Sequence, residues 1–225
     1  MIIAIDGPAG SGKSTVARGV ARRLGFTYLD SGALYRAVTL LALQRDADLD
    51  DGPTLGRLAS AATIELDDDG DEGIQVLLDG REVSKEIRTP RVTGASSTVA
   101  AHPEVRNALL KKQRALISAG NYVVEGRDIG TVVAPDAALK VFLTADPDER
   151  ARRRAAELER RGQRTAAEDV KAAIAKRDRL DSTRSAAPLR VADDAITLDT
   201  TGLQPDDVIS RVLELVAGVR AVGSS

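Results

Sequence analysis

Residues 7–15 read Gly7-Pro8-Ala9-Gly10-Ser11-Gly12-Lys13-Ser14-Thr15. The string has the spacing G-x-x-x-x-G-K-[ST] of a phosphate-binding loop. It follows an apolar run at 2–5 and opens a helical pattern running towards Leu24. Strand, glycine-rich loop and helix therefore come in the order that such a loop requires. Each residue type has a task. Gly7, Gly10 and Gly12 let the backbone take angles that a Cβ forbids and leave bare N–H groups open to a phosphate. The helix beginning near Lys13 adds unpaired N–H donors and the positive end of its dipole. The Lys13 ammonium suits the β and γ phosphates, and the Ser14 hydroxyl suits Mg²⁺, with Thr15 as a second candidate. The expected ligand is a nucleoside triphosphate, with 7–15 as its cradle.

Five apolar runs, at 2–5, 27–29, 122–125, 139–144 and 195–198, read as buried parallel strands. Helical patterns lie between them: Val16, Val20 and Leu24; Val105, Leu109, Leu110, Leu116 and Ile117; then 151–161, 167–179 and 205–216. This alternation predicts an α/β P-loop NTPase fold, a five-stranded parallel sheet flanked by helices. Ligands of such sheets bind beyond the carboxyl ends of the strands. The second strand is followed there by Asp30-Ser31-Gly32-Ala33-Leu34-Tyr35-Arg36 and the third by Gly126-Arg127-Asp128-Ile129-Gly130. The fourth is followed by Asp146-Pro147 and an arginine-rich helix. Charged and hydroxyl groups converging on one rim predict a second substrate beside the nucleotide. Arg36, Arg106, Arg127, Arg177 and Arg184 are candidates for phosphate work, because a guanidinium offers a planar, permanently charged fork. Arg36 and Arg127 stand out for lying just past strand ends. Arg177, Asp181 and Arg184 share a helix face at i, i+4 and i+7; they form a structural ladder or hold a ribose hydroxyl and a phosphate. His102 precedes Pro103 and reads as a helix-entry residue.

Between the second and third strands lies an insertion in which Thr63-Ile64-Glu65-Leu66, Ile74-Gln75-Val76-Leu77-Leu78 and Glu82-Val83 predict a small antiparallel sheet beside the core. Surface decoration and substrate binding are equally open for it. The basic segment Arg150-Ala151-Arg152-Arg153-Arg154, with Arg160, Arg161 and Arg164, reads three ways: a solvated helix paired with Glu157 and Glu159, a nucleic-acid stripe, or a helical lid over the triphosphate. The phosphate loop favours the lid, and no aromatic interleaving supports single-strand binding.

The chain has 225 residues and a net charge of −2, so it fits one α/β domain with no global field for nucleic acid. Aromatics make up only 2% of it, so the core is expected to be aliphatic. There are no cysteines, which excludes disulfides and thiolate metal sites. No apolar run is long enough to span a bilayer and no secretory signal is visible, so no membrane partner and a cytoplasmic location are expected. No exposed apolar stripe stands out, which points to a monomer. The guanine-reading string N-K-x-D is absent, against a GTP-dependent switch. A short single domain speaks against a polymer motor or transporter ATPase.

Taken together, 7–15, Asp30-Ser31-Gly32-Ala33-Leu34-Tyr35-Arg36, Glu125-Gly126-Arg127-Asp128-Ile129-Gly130-Thr131 and Arg177…Asp181…Arg184 resemble the bacterial cytidylate kinases, a nucleoside monophosphate kinase family. The resemblance covers nearly the whole chain, insertion included, and its second and third strings weigh against another small-molecule P-loop kinase such as one for shikimate. It implies transfer of the γ-phosphoryl group of ATP to CMP or dCMP with Mg²⁺. It implies that Lys13, Arg127 and Arg184 act in catalysis. Ser31, Arg36, Arg127 and Arg184 would hold the acceptor phosphate, and Arg177 and Asp181 the sugar. Ser97, with Ser96 one residue away, would read the cytosine with Arg106 and Asp128. The division implied is a core of 1–30, 95–149 and 176–217, a monophosphate-binding region at about 31–94, a lid at about 150–175 and a frayed tail at 218–225. A phosphate monoester acceptor is already ionised at neutral pH, so no general base is required.

Overall fold

The computed structural model describes residues 1–68, 74–160, 162 and 165–222. Five strands form one parallel sheet: β1 (Ile2–Asp6), β2 (Thr27–Asp30), β6 (Tyr122–Gly126), β7 (Leu139–Thr144) and β8 (Ile196–Asp199). Their order is β2-β6-β1-β7-β8, so the strand feeding the glycine-rich loop is central. Register puts Asp6 beside Gly126, and Asp30 beside Glu125. The loops after β1, β2 and β6 therefore leave from one rim. The interior strands are apolar on both faces because helices cover both, and Ile3, Ile5, Val123, Val141 and Leu143 are fully or nearly fully buried.

The helices are α1 (Lys13–Leu24), α2 (Ser31–Gln44), α3 (Gly52–Ala61), α4 (Pro90–Ala101), α5 (Pro103–Leu116), α6 (Pro147–Arg160), α7 (Ala167–Thr183) and α8 (Pro205–Val222). Local chemistry starts them. Asp30 caps α2 by accepting from Ala33 N at 3.1 Å. Asp51 does the same for α3 through Thr54 N at 3.0 Å. Proline opens α4 and α5, where its fixed φ suits the first turn, and His102 sits at the entry to α5 with its Nε2 at 2.8 Å from Leu49 O. Between β6 and β7, residues Ile129–Val133 form a π-helical turn.

The insertion forms a three-stranded antiparallel sheet of β3 (Ile64–Asp68), β4 (Ile74–Leu78) and β5 (Arg81–Glu82). It does not stand beside the core as expected: Ile64, Ile74, Val76 and Leu78 point inward and join the main hydrophobic cluster with Leu34 and Leu55. Residues 69–73, part of the most acidic stretch, lie outside the described residues. The expected tail at 218 onward is also corrected. Helix α8 runs to Val222, with Val219 packed on the core and Arg220 over the Phe26 ring at 5.3 Å.

Two loop glycines are fixed by contact with neighbouring backbone. Gly7 has φ 148°, and a Cβ there would lie 2.1 Å from Leu143 O on β7. Gly10 has φ 78°, and its Cβ would lie 2.8 Å from Arg150 O. Gly80 has φ 80° but open space around it. In thermal unfolding we expect Gly80→Ala to cost only about 1–2 kcal/mol, and Gly7→Ala to cost more, because the β1–β7 contact must also shift. Equal losses would contradict this packing of the loop.

Candidate active site

The loop passes from Gly7 to Lys13 with Gly12, at φ 89°, preceding the first turn of α1. Lys13 is buried, and its Nζ donates to Pro8 O at 2.7 Å. Burial, then Arg127, push its ammonium down to about 7; an anionic ligand acts in the opposite sense. Ser11 Oγ donates to Pro8 O at 3.1 Å. The loop apex is clamped from outside: Ala9 N donates to Asp178 Oδ1 at 3.2 Å, Ala9 O accepts from Arg150 Nη1 at 3.1 Å, and Arg150 pairs with Asp178.

Ser14 Oγ donates to Glu125 Oε2 at 2.9 Å, while Thr15 is exposed beside it. Glu125 also accepts from the Tyr28 hydroxyl, and burial followed by Asp30 pushes its carboxyl up. Motif matching did not single out Glu125. Its signal was a carboxylate inside an otherwise apolar, doubly covered strand, where a charge needs a reason.

Beside the loop the structure gathers Arg36, Arg127, Arg177, Arg184 and Ser31. Arg36 donates to Asp30 at 2.6 Å. Arg127 Nε donates to Asp181 Oδ2 at 2.9 Å, and its Nη1 to Gly126 O at 3.1 Å. Arg177 Nε stands 3.9 Å from Asp181. The helical ladder needs one correction. Helix α7 ends at Thr183, and Arg184 is extended (φ −62°, ψ 143°), so it does not share the helix face. Its guanidinium nevertheless lies 3.6 Å from both Asp128 and Asp181, and its Nε donates to Ala187 O at 2.7 Å. Burial, then Arg127, hold Arg177 below its ordinary basicity; burial, then Arg106, do so for Arg184. Buried Nε atoms of Arg36, Arg106 and Arg177, and Nη2 of Arg184, have no hydrogen-bond partner. Ser31 is buried at the first turn of α2, at the same rim.

Arg106 donates to Asp128 Oδ2 at 2.5 Å and to Ala100 O at 3.1 Å, and its guanidinium lies 5.1 Å above the Tyr35 ring. Ser96 is buried on α4 with its hydroxyl turned onto Thr93 O; Ser97 is half-buried and outside this network. Of the basic segment, Arg150 serves the clamp and Arg153 donates to Thr200 O at 2.6 Å. Arg154 pairs with Glu157 while its charge reaches Arg177. Arg160 is exposed, and Arg161 and Arg164 lie outside the described residues. A small apolar cluster of Ala9, Ala151, Val170 and Ile174 joins α6 and α7 to the glycine-rich loop.

Asp6, also missed by motif matching, accepts from Ile129 N at 2.9 Å and Gly130 N at 2.7 Å, fixing the loop that carries Arg127 and Asp128. Burial pushes its carboxyl from 3.8 up to about 6. Between these values the folded state holds a proton that the unfolded state releases. The stability it confers is present below pH 3.8 and is lost as pH rises through about 6. We expect Asp6→Asn to flatten that part of the stability–pH curve in urea titrations; an unchanged slope would contradict this account.

The family profile described as cytidylate kinase matches residues 3–218. The chain is 51% identical over 216 residues to a cytidylate kinase of Carboxydothermus hydrogenoformans, covering 96% of this chain and 97% of that one. It is 49% identical to a cytidylate kinase of Pelotomaculum thermopropionicum, covering 97% and 96%. It is also 51% identical to part of a bifunctional pantoate ligase/cytidylate kinase of Synechococcus sp. strain CC9311, covering 95% of this chain and 44% of that protein. Among solved structures, an uncharacterized protein from Eubacterium ventriosum shares the fold at a TM-score of 0.54 and 12% identity, covering 96% of this chain and 98% of that one. With a profile match over nearly its whole length and relatives at about half identity, the chain belongs to the cytidylate kinase family and is an enzyme of the nucleoside monophosphate kinase class.

Proposed function

We propose that the protein transfers the γ-phosphoryl group of ATP to CMP or dCMP, giving CDP or dCDP and ADP. The observation that carries this reading is the set of guanidinium N–H groups on Arg36, Arg177 and Arg184 that lack a hydrogen-bond partner, held at the rim where the glycine-rich loop begins. Buried donors with an excess of like charge suit a phosphate monoester. The glycine-rich loop and Lys13 take the triphosphate. Ser31 at the start of α2, with Arg36, Arg127 and Arg184, takes the acceptor phosphate. Arg177 and Asp181 take the sugar, and Arg106, Asp128 and Ser97 the cytosine. Transfer between two bound phosphates is catalysed mainly by alignment and charge neutralisation, which Lys13, Arg127 and Arg184 supply. The acceptor dianion is the nucleophile as bound.

Ser14 and Glu125 fit Mg²⁺. They offer two oxygen donors side by side, and the described residues hold no cluster of three or more His, Cys, Asp or Glu that would cage an ion. Mg²⁺ characteristically takes one or two protein oxygens and completes its shell with water and phosphate. When bound, it would offset charge on the β and γ phosphates. Ser14 is favoured over Thr15 by its contact with Glu125.

In this reading residues 31–94 form the monophosphate-binding region and 150–175 a lid, around the core of 1–30, 95–149 and 176–217. The lid closes over ATP to exclude water, and its small apolar cluster meets the glycine-rich loop at Ala9. No helix among the described residues is long and apolar enough to cross a membrane. The protein is taken to act on these small molecules as a cytoplasmic monomer, without nucleic acid.

A phosphoryl-transfer assay with Mg-ATP against CMP, dCMP, UMP, AMP and GMP tests the proposal. ADP release that depends on CMP or dCMP is expected, and its absence in folded protein would refute it. Arg127→Ala is expected to lower kcat by roughly 100-fold or more while the chain stays folded; full activity would remove Arg127 from the site. Asp128→Asn, which replaces an acceptor by an amide able to donate, is expected to lower kcat/KM for CMP roughly tenfold more than for UMP. Equal losses would argue against Asp128 as a base reader.

A further inference from the structure

We propose that Gln113 is a further acceptor-binding residue, whose amide hydrogen-bonds the polar edge of the ring held beside Arg106 and Asp128. The inference deepens the acceptor reading above and rests on it. A cavity of about 150 Å³ is lined by Arg106 and Asp128 together with Tyr35, Leu110, Val132 and Gln113. A cavity of about that volume takes a single six-membered ring. Arg106, Leu110 and Gln113 lie at i, i+4 and i+7 on α5, hence on one face of that helix.

Gln113 is only 1% exposed, yet neither Nε2 nor Oε1 has a hydrogen-bond partner. The Gln113 side chain also acts on the Tyr35 hydroxyl, whose pKa burial raises and this contact partly lowers back, without reaching full hydrogen-bond geometry. Buried amides are ordinarily paired, and a Met or Leu would fill the same place without burying polar atoms. A buried amide without a well-formed hydrogen bond, beside apolar walls, Asn107 and one charged pair, makes a slot for a flat ring that carries its own donors and acceptors. The other ligand parts already have partners in the proposed site, the phosphate in Arg36, Arg127 and Arg184, and the sugar in Arg177 and Asp181.

The amide differs from Asp128 in kind. An ionised carboxylate only accepts, whereas an amide offers N–H₂ and C=O together and exchanges them by rotation about its last bond. Gln113 therefore serves either edge of a pyrimidine. It adds affinity for the ring, while Asp128 decides which ring is preferred.

Calorimetric titration of CMP, ribose 5-phosphate and ATP into the full chain and into Gln113→Met and Gln113→Leu tests this. Ribose 5-phosphate carries the sugar and phosphate without a ring. In both variants CMP is expected to bind about tenfold more weakly. Ribose 5-phosphate and ATP should stay within about twofold. The melting temperature should change little, because the amide's contact with the Tyr35 hydroxyl falls short of full hydrogen-bond geometry. Unchanged CMP affinity overturns the proposal, and so does a parallel loss for all three ligands, which is what a purely structural role gives. In the unsubstituted protein, the Gln113 side-chain amide resonances should shift on adding CMP and not on adding ribose 5-phosphate; no shift with CMP overturns the proposal without any variant. A wild-type protein that binds CMP no more tightly than ribose 5-phosphate overturns the cytosine reading itself, and this inference with it.

Discussion

The constraint on which the rest of the structure depends is positive charge held out of water at one rim of the sheet. Among the described residues, Lys13, Arg36, Arg106, Arg127, Arg177 and Arg184 outnumber the carboxyl groups they face, Asp6, Asp30, Glu125, Asp128 and Asp181. The imbalance shows in the groups themselves. Lys13, Arg177 and Arg184 are all held below their ordinary basicity, by burial first and then by neighbouring cations. Such a cluster is costly until an anion arrives, and under the proposed function this cost favours phosphate over neutral ligands. Three carboxylates do a second job: Asp30, Asp128 and Asp181 each fix a guanidinium, so little side-chain freedom remains to be lost on binding.

Holding that charge in place requires the central strand. β1 lies between β6 and β7, and its last residue, Asp6, ties down the loop of Arg127 and Asp128 by two backbone N–H groups. The same strand leads into the glycine-rich loop, where Gly7 touches the backbone of β7. Glu125, at the end of β6, reaches across to Ser14 on α1. The glycine-rich loop, the Ser14–Glu125 pair and the arginine cluster are thus set by hydrogen bonds among three adjacent strands. The helices α6 and α7 are held by polar links, the Arg150–Asp178 clamp on Ala9, Arg153 on Thr200 O and Asp181 on Arg127, and by apolar contact of Ala151, Val170 and Ile174 with Ala9.

Much was legible because it is local. The apolar runs at 27–29 and 139–144 became β2 and β7, and the alternation of 74–78 became β4. The helix α2 escaped notice because it is buried almost all round, leaving no polar face to give it a stripe. The ladder of Arg177, Asp181 and Arg184 shows how far spacing reaches. It brought the right residues together, but helical periodicity does not say where a helix stops, and Arg184 meets Asp181 from an extended segment instead.

By itself the sequence determined the phosphate loop, the parallel α/β class and the residues at strand ends, since these follow from backbone freedom at glycine, from apolar periodicity and from chain order. Only the tertiary structure decided which charges pair, which N–H groups are left without a partner, and that Asp6, Glu125 and Gln113 belong to the same neighbourhood. Those outcomes depend on contacts between residues as far apart in the chain as Ser14 and Glu125, or Ala9 and Asp178. No local propensity encodes such contacts; they exist only once the strands are in register and water has been displaced from the rim.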